Sequence, residues 1–227
     1  MAEPRRRIGI MGGTFDPIHY GHLAAAQEAW AQFGMEKVIF IPCGRPAHKK
    51  DYEVTPAGHR HAMVVLATQH DPRFEVSREE LDRPGPSYAV DTVRALRCKY
   101  THEVELYFIT GADAVREILT WRQPQQLVEM CELVACTRPG HDLGGLEEAV
   151  GPELFAQVHP LEIPGVNISS TQLRQRVEAG LPLKYLTPEP VEAYIAQHHL
   201  YRKQQHPVSA RSGSDCAGGK SRLAERR

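Results

Sequence analysis

The chain has 227 residues, 41% of them hydrophobic, and its 27 Lys and Arg balance 28 Asp and Glu to a formal net charge of -1. That length suits one sizeable α/β domain and is short for two large ones, while the balanced charge excludes the global positive field that would make nucleic acid the default partner. Cys43, Cys98, Cys131, Cys136 and Cys216 stand scattered with no CxxC pair, which argues against a disulfide framework or zinc knuckle and fits a reducing cytoplasm, and no segment is long enough to span a membrane.

In chain order, residues 8–11 (Ile-Gly-Ile-Met) read as a short buried strand, and residues 23–33, rich in Ala, Gln and Glu with apolar residues at helical spacing, as a helix. Residues 37–42 are the next predicted strand. A helix is predicted over 55–69, with Thr55 as N-cap and Pro56 at the first helical position. Residues 74–77 read as a strand, 88–99 as a helix, and 103–110 as a strong central strand ending at Gly111. Further strands are predicted at 132–136 and 158–163. Such alternation predicts a mostly parallel sheet covered on both faces, with ligands at the carboxyl ends of its strands. Two helices close the domain: 169–178, capped by serine and ended by Gly180, and 188–198, with Thr187 as N-cap. From about Gln204 the composition turns to Ser, Gly, Lys and Arg with almost no apolar residues. Residues 204–227 are therefore expected to be a disordered basic tail behind a domain of residues 1–203.

A strand followed by Gly12-Gly13-Thr14 sets successive backbone N–H groups where no side chain blocks a phosphate, and the next helix points its positive end the same way. Taken alone, the glycine pair could equally serve a tight turn. His19 and His22 favour the anion: they flank Gly21 at the loop-to-helix junction, so both rings can face one phosphate while Gly21 admits the backbone closely. Two histidines at spacing three, with Asp16 as the one acidic neighbour, make a poor zinc set, so no metal held by side chains is expected. Imidazolium beside a helix N-terminus is also unfavourable without an anion.

The run Gly12-Gly13-Thr14-Phe15-Asp16-Pro17, followed by His19-Tyr20-Gly21-His22, resembles the nucleotidyltransferase superfamily signature GGTFDPxHxGH. The resemblance implies an α/β, Rossmann-like doubly wound fold with C-terminal helices. It also implies attack on the α-phosphate of ATP with release of pyrophosphate, Mg²⁺ being carried by the ATP phosphates. Gly12, Gly13, Thr14, Phe15 and Gly21 are then ATP-binding, and His19 and His22 catalytic. The glycine pattern is not GxGxxG, which speaks against a dehydrogenase. Ile168-Ser169-Ser170-Thr171-Gln172-Leu173-Arg174 is by composition a capped helix start. Beside the first motif it resembles the second signature, ISSTxxR, which implies that Ser169 and Ser170 bind ATP and that Arg174 is catalytic.

Pro86-Ser87-Tyr88, Gly111-Ala112-Asp113 and Trp121 resemble the bacterial nicotinate-nucleotide adenylyltransferases. That resemblance implies that Trp121 stacks on the acceptor's pyridine ring, a flat platform for a flat ligand, whereas Trp30 reads as core. Ser87, Tyr88 and Ala89 are placed at the acceptor's carboxylate, Ala89 standing where the family has threonine. Arg45, His48 and Lys49 are placed at its phosphate, with Ala47 where the family has proline. Gly111 and Asp113 fall beside the ATP ribose and Arg138 by the adenine. The implied reaction transfers AMP from ATP to nicotinate mononucleotide, giving deamido-NAD and pyrophosphate in NAD biosynthesis. The attacking phosphate is already ionised at pH 7, so no general base or covalent nucleophile is needed. The competing readings are another phosphate acceptor such as phosphopantetheine, and a non-catalytic nucleotide- or RNA-binding module gripping through residues 220–227. Both histidines and Arg174 argue for the enzyme, and no nucleic acid or membrane partner is expected.

Overall fold

Residues 8–11, 38–41 and 106–109 are buried on both faces, as parallel strands must be when crossover helices cover each side of a sheet. In this computed structural model, which describes residues 5–47, 52–100, 103–137, 144–165 and 167–202, those runs belong to β1 (Arg6–Gly13), β2 (Lys37–Pro42) and β4 (Val104–Gly111). With β3 (Phe74–Val76), β5 (Glu132–Thr137) and β6 (Val158–Glu162) they form a six-stranded sheet in the order β3-β2-β1-β4-β5-β6. Every neighbouring pair in it is parallel. This is the doubly wound, Rossmann-like arrangement that the alternation predicts. The chain winds outward from β1 to β3, then returns to β1's other side as β4, so the order reverses between β1 and β4.

Two apolar layers cover the sheet. On one side α1 (Tyr20–Phe33), α2 (Ala57–Thr68), α8 (Ser170–Glu178) and α9 (Glu189–Gln197) bury Ala25, Ala29, Met63, Leu173 and Ile195 among others. On the other, α3 (Ala89–Lys99), α4 (Ala112–Arg116), α5 (Pro124–Met130), α6 (Leu146–Val150) and α7 (Pro152–Phe155) bury Val93, Val115, Leu127, Leu146 and Leu154. The helices α4 to α7 are four to seven residues long, too short to leave a readable period in the sequence. No helix among the described residues is long and apolar enough to cross a membrane.

Three local expectations are corrected. Gly12 and Gly13 are not a loop: they extend β1, opposite Ile41 and Pro42 of β2. Thr55 does not cap α2. Pro56 stands at the N-cap, and the Thr55 N–H instead donates to Asp16 Oδ2 at 3.2 Å. Thr187 does not cap α9; it is buried, and its hydroxyl donates to the Ile18 carbonyl at 2.8 Å, fastening the C-terminal helices to the first motif. Helix α8 does begin at the Ser169 cap and its end is followed by Gly180 at φ 71°. The expectation for residues 204–227 lies outside the described residues.

Candidate active site

At the carboxyl ends of β1 and β4, where the strand order reverses, lies a cleft of about 600 Å³. Open α/β sheets bind ligands at such a point. Its walls come from Met11, Gly12 and Gly13 of β1, from His19, Gly21 and His22 at the start of α1, and from Thr110, Gly111 and Asp113 at the β4–α4 junction. Cys136 and Thr137 of β5 close one side, and Ser169 and Ser170 at the start of α8 another.

The glycines are explained by what a side chain would meet. A Cβ on Gly12 would lie 3.2 Å from Phe108 Cζ, and one on Gly13 only 2.9 Å from Phe15 Cζ. Phe15 is itself buried, takes a positive φ of 50°, and meets His22 edge-on at 5.1 Å between ring centroids. His19 occupies the N-cap of α1 in extended conformation, and its N–H donates to His22 Nδ1 at 3.2 Å. The two imidazoles stack 3.8 Å apart at 26°. A Cβ on Gly21 would fall 3.0 Å from His19 Nδ1, so glycine is what admits the ring there.

Burial, and then the neighbouring His19, hold the His22 pKa well below the ordinary imidazole range. The ring is therefore neutral at pH 7. With Nδ1 accepting from His19, its hydrogen sits on Nε2 as a donor. An arriving anion would reverse that shift by favouring the protonated ring.

The second helix start converges on the first. Ser169 forms a reciprocal cap, accepting from the Gln172 N–H at 3.2 Å while its own N–H donates to Gln172 Oε1 at 3.0 Å. Ser170 Oγ donates to the Pro17 carbonyl at 2.8 Å, and the Ile168 carbonyl would be 3.8 Å from a Gly21 Cβ. Two positive helix ends thus border one cleft. Arg174 is held differently: Nη1 donates to the Asp16 carbonyl at 2.7 Å, Nη2 to Thr171 Oγ1 at 3.2 Å, and its guanidinium lies 3.7 Å over the Tyr52 ring. It touches the first motif's main chain and does not line the cleft. Asp113 is exposed on the first turn of α4, 3.5 Å from Arg116, which also lines the cleft. Arg138 lies outside the described residues.

The residues assigned to the acceptor gather outside that cleft. Ser87 Oγ accepts from the Gly44 N–H at 3.1 Å and the Arg45 N–H at 3.3 Å, and the Ser87 N–H donates to the Arg45 carbonyl at 2.8 Å. The Pro86-Ser87-Tyr88 element and the Gly44-Arg45-Pro46 segment are therefore one unit. The Arg45 side of it is exposed, and His48 and Lys49 lie outside the described residues. Tyr88 stands at the N-cap of α3 with the Arg122 guanidinium 4.7 Å from its ring centre, and Ala89 is the first helical residue. Trp121 is half-buried, edge-on to Phe108 at 6.0 Å. Since Phe108 also underlies Gly12, this ring joins Trp121 to the end of β1. Trp30 packs at the edge of the other core layer, with Arg73 4.4 Å over its ring.

Two further features support the site from behind. Asp16 is buried, with Oδ1 accepting from the Tyr201 hydroxyl at 2.6 Å and Oδ2 from the Thr55 N–H, so the signature's aspartate ties the segment after α9 to the first motif. Burial, followed by the Asp16 charge, pushes the Tyr201 hydroxyl pKa upward and keeps it a donor. Arg60 is 1% exposed inside α2 and donates to three main-chain carbonyls: Thr55, Thr14 and Gly44. The readable signal was an arginine three and four residues before Met63 and Val64, on the apolar face of its helix.

The cytidylyltransferase-like family profile matches residues 10–176. A protein of Moorella thermoacetica named "Probable nicotinate-nucleotide adenylyltransferase" is 55% identical over 200 residues, covering 86% of this chain and 92% of its own. One of the same name from Saccharopolyspora erythraea is 50% identical over 214 residues, covering 94% and 98%. Among solved structures, the Plasmodium falciparum nicotinic acid mononucleotide adenylyltransferase complexed with NaAD superposes at TM-score 0.69 with 19% identity, over 86% of this chain and 97% of that one. That last likeness shows a shared fold.

Proposed function

We propose that this chain, which belongs to the nicotinate-nucleotide adenylyltransferase family, transfers AMP from ATP to nicotinate mononucleotide, forming deamido-NAD and releasing pyrophosphate. The observation that carries the reading is the convergence of the β1 end, the stacked His19–His22 pair and the α8 start on one cleft at the sheet's reversal point. Such a cleft suits a triphosphate, because two helix N-termini and an imidazole donor offset its charge.

In this reading an oxygen of the acceptor phosphate forms a bond to the α-phosphorus, the bond to the β-phosphate oxygen breaks, and the electron pair leaves on pyrophosphate. No proton need be removed from the nucleophile. The protein's work is to bring two anions together in line and to stabilise charge developing on the leaving group. His22 Nε2–H, His19, Ser169 and Ser170 serve the phosphates, with Arg174 leaving the Tyr52 ring to meet the β- and γ-phosphates. Mg²⁺ enters with the substrate as Mg-ATP and neutralises part of the triphosphate charge. Gly111, Asp113 and Arg138 attend the nucleoside. Trp121 stacks on the pyridine, the Ser87-Tyr88-Ala89 turn takes its carboxylate, and Arg45, His48 and Lys49 take the acceptor phosphate. The scattered cysteines support a cytoplasmic location.

The test is pyrophosphate release from Mg-ATP with nicotinate mononucleotide, nicotinamide mononucleotide and phosphopantetheine compared side by side. A clear preference for the first is expected. Equal rates with the two mononucleotides would remove the acceptor assignment, and preference for phosphopantetheine would replace it.

A further inference from the structure

The paired register of the parallel strands β1 and β2 ends at Gly13 and Pro42. The Cys43 N–H still donates to the Gly13 carbonyl at 2.8 Å. From there one chain enters the donor loop and the other the segment fastened by Ser87. Arg60 bridges them: Nη1 donates to the Thr14 carbonyl at 2.8 Å, Nη2 to the Gly44 carbonyl at 3.1 Å, and Nε to the Thr55 carbonyl at 2.7 Å. A guanidinium suits this place because its planar fork offers several N–H donors in fixed directions, which an ammonium does not. A buried cation costs stability unless hydrogen-bonded, and an apolar side chain would fill the same space without that cost.

The bonds have a directional effect. A peptide unit is planar, with C=O and N–H on opposite sides, so turning the Thr14 carbonyl toward Arg60 turns the Phe15 N–H away from it. The same holds for the Gly44 carbonyl and the Arg45 N–H, which donates to Ser87 Oγ. Gly44 is gripped from three sides: its N–H by Ser87, its carbonyl by Arg60, and its Cα by the Glu80 carbonyl, with which any Cβ would collide. Glu80 Oε1 in turn accepts from Thr92 Oγ1 at 2.6 Å, one turn into α3 from Ala89. A continuous set of contacts runs from the donor loop, through Arg60 and Gly44, to the Ser87–Ala89 turn.

We propose that Arg60 is a positioning residue for the transfer: buried away from both substrates, it sets the spacing between donor loop and acceptor segment so that the acceptor phosphate meets the α-phosphorus in line. This rests on the reading that those two segments hold the two substrates of an adenylyl transfer. Its signature is a separation of turnover from binding. Each substrate binds largely to one segment, whereas reaction needs both at the right distance, and a misplacement of about 1 Å costs about a hundredfold in rate.

The test starts with the unaltered protein, Mg-ATP and nicotinate mononucleotide; absence of pyrophosphate release there would overturn the functional reading and this inference together. With an active parent, Arg60→Lys is expected to lower kcat by about thirty- to a hundredfold. The Kd of each substrate alone, by calorimetry, should stay within about twofold. An unchanged kcat, or a loss of binding that accounts for the whole rate loss, overturns the inference and leaves the functional reading standing. Arg60→Lys combined with Ser87→Ala should lose less than the product of the two single losses, since both act through Gly44; a full product would overturn it. If Arg60→Lys does not fold, Thr92→Val cuts the far end of the same contacts. A fall in kcat of about fivefold at unchanged substrate Kd is then expected, and parent-like turnover overturns it.

Discussion

The two motifs bring main chain and helix starts to the cleft from two contiguous stretches of sequence, whereas the residues proposed for the acceptor come from three separated segments. Gly12, Gly13, His19, Gly21 and His22 lie within eleven positions and line one cleft together with Ser169 and Ser170. Arg45 and Ser87 meet instead through Ser87's hydrogen bonds to the Gly44-Arg45 backbone, and Tyr88 meets Arg122, the neighbour of Trp121, through its ring. The contrast is physical. A phosphate is met by N–H groups that any correctly shaped backbone presents, so glycine and a cap residue suffice. A pyridine ring and a carboxylate need side chains delivered from several directions.

Four measurements test that contrast. The largest effect is expected for His22→Ala, which removes a donor from the contiguous half. Turnover should fall a hundredfold or more, about 3 kcal/mol of barrier, with a thermal transition close to the parent's. Near-normal turnover would remove His22 from the chemistry. Trp121→Ala should raise the KM for nicotinate mononucleotide by about tenfold through lost stacking, while leaving the KM for ATP within about twofold. An equal rise in both would mean that the halves are not separable there.

The third concerns protons. Because the His22 pKa is depressed in the fold, the unfolded chain takes up a proton first as pH falls below about 6.5. The unliganded protein should therefore lose stability in that window, most visibly as a lower Tm at pH 5.5 than at pH 7.5. Mg-ATP should oppose this by drawing a proton onto the ring. Calorimetry at pH 6.5 in two buffers of different ionisation enthalpy should report uptake that disappears in His22→Asn, and buffer-independent heats would refute it. The smallest effect is expected from Ala89→Thr, which restores a hydroxyl at the first position of α3. It should lower the acceptor KM by about two- to fivefold, the worth of one modest hydrogen bond, with no change for ATP.

The division between the halves also governs what could be read in advance. Strands 37–42 and 103–110 and the Ser169-capped helix are legible because burial on both faces and capping each leave a local pattern. Thr55 and Thr187 look like caps and are not, because the same hydroxyl or N–H chemistry is spent on Asp16 and Ile18, residues 39 and 169 positions away. Arg174 carries the second signature, yet its contacts with the Asp16 carbonyl and the Tyr52 ring belong to the tertiary fold. Arg60 shows the limit most plainly. Its presence on an apolar helix face marks an anomaly, but nothing local says which carbonyls it will meet.

The fold class, the succession of the major strands along the chain and the place of the first motif at a strand's carboxyl end can be read from local sequence, because periodicity, glycine and helix capping act over a few residues. The tertiary structure decided how the histidines stack, where Arg174 rests, and how the Arg60 guanidinium joins Thr14 to Gly44. Those outcomes depend on which distant groups burial brings within hydrogen-bond reach, and that is set by the packing of α2 and α8 against the sheet rather than by any local pattern.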